Sequence, residues 1–186
     1  MAKIEILAPF LLSFEGGFVN HKDDKGGATN MGVTLKTWRE VGYDKDNDGD
    51  IDVDDLVLVT KDDVIYNVLE PFYWNRCWAS RIENQNVANM LVDWAYNSGV
   101  KTAIRAIQRI VGVVDDGIMG LKTISAINDY DASELFASLK NERIKFVNAI
   151  VAKNPSQKVF LKGWMRRIES INFGFLTYND GSVSVL

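Results

Sequence analysis

Apolar residues return every third or fourth position along most of this chain, and no stretch of convincing length alternates as a strand would. A chain patterned this way buries helical stripes, so the expected class is mainly α, a helical bundle with short extended pieces near Phe18–Val19 and Ile51. Ile4, Leu7, Phe10, Leu11 and Phe14 predict a first helix over about 3–14, in which Pro9 marks a kink or a later start. Thr34 is a plausible cap for a helix reaching Trp38, and Thr60 for one over 60–73 that Pro71 should end or bend. Further helices are expected over about 86–97, 102–111, 121–128, 132–152 and 158–171, with a loose tail after Phe175.

The first predicted helix closes on Glu15, and Gly16–Gly17 offers a flexible stop. A carboxylate at that end of a helix receives no support from the helix dipole. Asp23 and Asp24 follow in a polar loop, then Gly26–Gly27, Thr29 and Asn30, short side chains able to hold a water or a substrate hydroxyl. Two carboxylates flanking a bond are the working parts of glycoside hydrolysis. Phe72–Trp74 and Trp78 form an aromatic cluster, read as core or as the wall of a sugar cleft, which makes Tyr73 and Trp74 candidates for substrate contact. Asp93 and Asn97 lie one helical turn apart, and Asn97 is a further candidate.

From Asp44 to Asp55 the chain carries seven Asp and one Lys. Asp at loop positions 1, 3 and 5, Gly at 6, an apolar residue at 8 and Asp at 9 and 12 match a calcium loop, with Asp55 where a bidentate Glu is usual. Asp44, Asp46, Asp48, Asp50, Asp52 and Asp55 are therefore the candidate ligands of a structural Ca2+, or of Mg2+. One loop without a partner favours a structural clip over a sensor. No cofactor is expected for catalysis.

Charge is unevenly spread. The net charge is −4, yet residues 101–178 hold twelve Lys/Arg against seven Asp/Glu, a basic half suited to an anionic polymer. Nothing approaches the ~18 apolar residues of a membrane span. Glu5 interrupts the apolar N-terminus, so no secretory signal is expected. The lone Cys77 reads as a buried, inert thiol.

Together F-E-G-G-F-V-N at 14–20, D-x-G-G-A-T-N-x-G-V-T at 24–34 and F-Y-W at 72–74 resemble glycoside hydrolase family 108. N-S-G at 97–99, I-Q-R-I at 107–110, D-G-I-M-G at 116–120 and G-W-M-R-R at 163–167 are similar to that family's C-terminal peptidoglycan-binding region. The resemblance implies a lysozyme-like α+β fold: a catalytic region over 1–95, a helical binding region over 96–178 and the tail 179–186. It also implies a monomeric N-acetylmuramidase acting on peptidoglycan, with no nucleic acid and no stable membrane association. Glu15 matches the family's catalytic glutamate. The Glu15–Asp24 spacing is similar to that of phage-type lysozymes, and the water-positioning role falls to Thr29, Asn30 or Thr34. Without a signal, such an enzyme leaves the cytoplasm through a phage pore or an export route. The rival expectation is a non-catalytic wall-binding or secretion-accessory protein.

Overall fold

The computed structural model describes residues 1–20, 27–41 and 43–186. Helix α1, Ile4–Ser13, buries Ile4, Leu7, Ala8, Phe10 and Leu11. It runs unbroken through Pro9, which is exposed, so water can take over the carbonyl that the missing N–H leaves unbonded. Two strands follow, β1 (Thr29–Asn30) and β2 (Val33–Thr34), paired antiparallel around a two-residue turn. Met31 and Gly32 both have positive φ there, 46° and 78°, as the tightest hairpin turns require. Thr34 does cap α2 (Leu35–Val41): its hydroxyl accepts the Thr37 N–H at 3.1 Å.

Helix α3 (Val53–Leu58) leads to α4 (Lys61–Val64), whose Thr60 cap is present as expected. Pro71 does not end the helix that follows. From Ile65 to Trp74 the chain continues in wide turns, with the Asn75 N–H reaching back five residues to the Glu70 carbonyl at 2.8 Å. Widened turns relieve the clash between a proline ring and the carbonyl four residues back.

At the centre is α5 (Gln85–Ser98), buried from Asn86 to Ala95 and capped by Asn84. It packs on α6 (Val100–Ile110) and α8 (Ala132–Lys153), with α7 (Leu121–Asp129) and α9 (Lys158–Glu169) beside α8. The 95/96 division expected from sequence falls inside α5, and one hydrophobic cluster runs from Ala2 to Leu176. The tail is not loose either. Strands β3 (Ile171–Asn172), β4 (Phe175–Thr177) and β5 (Val183–Val185) form an antiparallel sheet, because Gly174 and Gly181 at positive φ turn the chain back twice. This end also fastens α1 to α9: the Asn179 N–H donates to Ser13 Oγ, and its carbonyl accepts from Arg166. The fold is mainly α and lysozyme-like, and no helix among the described residues is long and apolar enough to cross a membrane.

A candidate active site around Glu15

Glu15 sits just past the end of α1, where the Phe14 and Glu15 N–H groups close onto the Leu11 and Leu12 carbonyls. Neither Gly16 nor Gly17 takes the left-handed conformation usual at helix stops, and no atom of the described residues lies within 4 Å of a Cβ built on either. The Glu15 side chain is 18% exposed, and its Oε1 accepts from Arg167 Nη1 at 3.1 Å. Arg167 comes from the last turn of α9 and lies over the Phe14 and Tyr96 rings, 5.1 and 5.6 Å from their centroids.

Behind this pair lies the most buried charge among the described residues. Asp93, on α5, is fully buried; its Oδ1 accepts from Arg167 Nε at 2.9 Å, and its Oδ2 lies 2.6 Å from Arg143 Nη2 of α8. Burial alone would raise the Asp93 carboxyl, but the Arg167 and Arg143 guanidiniums more than offset that and hold it below the usual carboxylate value. Burial likewise works against the Arg167 charge, and Asp93 and Glu15 restore it, raising its pKa further. The order Glu15–Arg167–Asp93–Arg143 alternates in sign, so each buried charge has a neighbour to neutralise it.

The other carboxylate oxygen, Oε2, faces the β1–β2 turn. A Cβ placed on Gly32 would lie 2.6 Å from Glu15 Oε2 and 2.6 Å from the Tyr96 hydroxyl. The absence of a side chain at Gly32 is thus what lets the hairpin close over the acid. Burial, then the Glu15 charge, raises the Tyr96 phenol, and burial first also raises Tyr73. These two rings meet edge to face at 5.1 Å. Tyr73 also lines an open groove of about 420 Å3 with Thr37, Glu40, Phe72 and Arg76.

The structure sorts the remaining sequence candidates. Asp24 lies outside the described residues. Of the three residues considered for positioning a water, Asn30 is buried and donates to the Leu56 carbonyl at 2.8 Å, and Thr34 is occupied as the α2 cap. Thr29 keeps a lightly engaged hydroxyl, 3.5 Å from the Gly27 carbonyl. Trp74 takes the core alternative rather than the cleft wall: it is buried and donates to Ser80 Oγ at 2.7 Å. Asn97 is tied by its own amide to the Asp93 carbonyl at 2.7 Å, and lines a separate cavity beside Trp164 and Arg167. Cys77 is buried, and burial pushes its thiol up to about 12, which suits an inert role.

The acidic loop splits its carboxylates into two triads, Asp44–Asp46–Asp48 and Asp50–Asp52–Asp55, each with oxygens within 4.8 Å of one another. Gly49 at φ 102° makes the turn. Asp55 is buried and accepts the N–H groups of Lys45, Asp46 and Asp52, and the Asp52 bond above all holds its carboxyl below the usual value. An all-oxygen donor set of this kind fits a hard divalent cation.

Tyr96, Gly32, Arg143 and Arg167 were not among the sequence candidates. Gly32 closes the G-G-A-T-N-M-G motif and was visible there, but the Arg167–Glu15 contact spans 152 residues and leaves no local signal.

The profile of the family described as Glycosyl hydrolase 108 matches residues 8–99, and that described as Predicted Peptidoglycan domain matches residues 102–169. A solved structure of SagA from Brucella abortus superposes with a TM-score of 0.68 at 30% identity, over 88% of this chain and 87% of that one. No curated protein matches.

Proposed function

The chain belongs to the glycosyl hydrolase 108 family, and from that premise we propose an N-acetylmuramidase that cleaves the β-1,4 bond between N-acetylmuramic acid and N-acetylglucosamine, with Glu15 as general acid. Its family makes it a glycoside hydrolase, and the second matched region makes peptidoglycan its substrate or partner. The observation that carries the finer reading is the setting of Glu15. One oxygen is fixed by Arg167, and the other turns toward the Gly32 backbone and Tyr96.

In this reading Glu15 Oε2 gives its proton to the glycosidic oxygen as the C1–O bond breaks. Water adds to the oxocarbenium-like C1 left behind, giving its spare proton to Glu15 or Asp24 so that the acid is restored. Proton donation of this kind contributes roughly 10²–10⁴-fold. Arg167 touches the acid rather than the sugar and acts as a positioning residue. Asp24 carries the second carboxylate role, and the Thr29 hydroxyl orients the water. A carboxylate separation of about 5–5.5 Å gives retention and about 6.5–9.5 Å inversion, so the anomer released first reports which applies. The acidic loop holds a structural Ca2+ that braces the hairpin through the Asn30–Leu56 bond. Release of the enzyme in a prophage lysis cassette fits this activity, and neighbouring lysis genes would support it.

The test is Glu15→Gln assayed on purified peptidoglycan. Muropeptide release should fall to background with an unchanged circular dichroism spectrum. Substantial residual release would overturn the assignment.

A further inference from the structure

Helix α9 carries a surface that the catalytic reading leaves unused. Phe160 is 53% exposed and Val159 77%. The Phe160 and Trp164 rings lie 6.0 Å apart and 28° from parallel, so they form an ordered aromatic pair rather than scattered apolar residues. Between them in sequence is Gly163, in the middle of a helix, exposed, with nothing within 4 Å of the Cβ it lacks. A glycine there weakens the helix, and nothing among the described residues packs against it in return. The bare backbone keeps open the surface beside the rings.

Two further features say what occupies it. Phe160, Trp164 and Arg167 follow at steps of four and three, so the aromatic pair shares a helix face with the residue that holds Glu15. Trp164 and Arg167 also share the wall of a cavity of about 90 Å3 with Asn97. The helix surface is basic: Lys158, Lys162 and Arg166 precede the one acidic residue, Glu169.

We propose that Phe160, Gly163 and Trp164 form a saccharide-stacking platform for the peptidoglycan glycan strand, on the helix face that also carries Arg167. A sugar ring lies flat on the exposed Phe160 ring beside the half-buried Trp164, Gly163 admits its edge, and the lysines attract the carboxylates of the stem peptides. This inference rests on the peptidoglycan hydrolase reading and names where the strand is held beyond the cleavage point.

Binding is measured with the full chain in the Glu15→Gln background, by co-sedimentation with purified sacculi and by titration with peptide-free N-acetylglucosamine oligomers. Phe160→Ala should weaken both about tenfold, equivalent to about 1.4 kcal/mol, and Phe160→Tyr should restore them. Gly163→Ala is the sharper variant. It should raise the melting temperature by about 2–4 °C while weakening binding, an opposition that a purely structural glycine would not produce. Unchanged affinity in Phe160→Ala and Gly163→Ala overturns the platform. So does binding that survives only on peptide-bearing fragments, Phe160-dependent attachment to anionic phospholipid vesicles, or Phe160-dependent self-association. Hydrolysis by Glu15→Gln would instead overturn the catalytic reading, and leaves these binding results to stand or fall alone.

Discussion

Asp93 lies where a lone carboxylate would be intolerable: fully buried, with its two oxygens given to arginines from two other helices. Asp93→Asn leaves two buried guanidiniums facing a neutral amide, so unfolding free energy should fall by about 3–5 kcal/mol. A chain of this size loses roughly 2–4 °C per kcal/mol, which thermal denaturation will read. The same residue sets an acid limit. Its carboxyl titrates lower in the fold than in the unfolded chain, so its stabilisation is complete above about pH 4 and is lost as pH falls through the folded value. The stability difference between wild type and Asp93→Asn should therefore shrink as the solution is acidified below about pH 4. Gly32 makes the complementary point. Gly32→Ala forces a side chain into positive φ and against both Glu15 and Tyr96. On the proposed role of Glu15, activity on peptidoglycan should drop by up to about a hundredfold, the loss that a misplacement of about an ångström can cause. Wild-type activity in that variant would mean the hairpin does not close over the acid.

Among the elements, the acidic loop is the clearest case of a sequence pattern that states its own physics. Mutual repulsion, led by Asp48, raises Asp50; lost hydration, followed by Asp48, Asp55 and Asp44, raises Asp46. Without a cation, Asp46 and Asp50 therefore oppose folding as pH rises through the carboxylate range, while Asp55, held low by its backbone N–H bonds, favours it. Millimolar Ca2+ should raise the melting temperature at pH 7, have almost no effect near pH 3, and lose its effect in Asp44→Asn/Asp48→Asn. An equal rise at both pH values would argue against a cation held by these carboxylates. Helices α5 to α8 were equally legible, since their apolar stripes are local. Pro71 did not end its helix, because the chain widened its turns there, and Trp74 took the core alternative of the two its aromatic cluster left open. The C-terminal sheet was missed because strands of two or three residues are too short to show alternation.

Across the whole molecule, the candidate site was half readable for one reason: its acid lies in a motif, whereas the groups that hold the acid are assembled only by folding. Glu15 and Gly32 stand within one short stretch, but Arg143 and Arg167 come from α8 and α9. This bears on how the two matched regions relate. The first ends at residue 99 and the second begins at 102, which invites cutting the chain between α5 and α6. Such a cut would strip Asp93 of both its cations and Glu15 of its ion pair, and would expose the apolar residues of α5 that face α6 and α8. Residues 1–99 alone should therefore fail to fold cooperatively and should release no muropeptides, even though every sequence motif of the hydrolase family is present. Adding residues 100–186 as a separate chain should restore activity only to the extent that the two associate. A soluble 1–99 fragment with full activity would show that the second region merely binds the wall. The geometry predicts the reverse, that it completes the candidate site around Glu15.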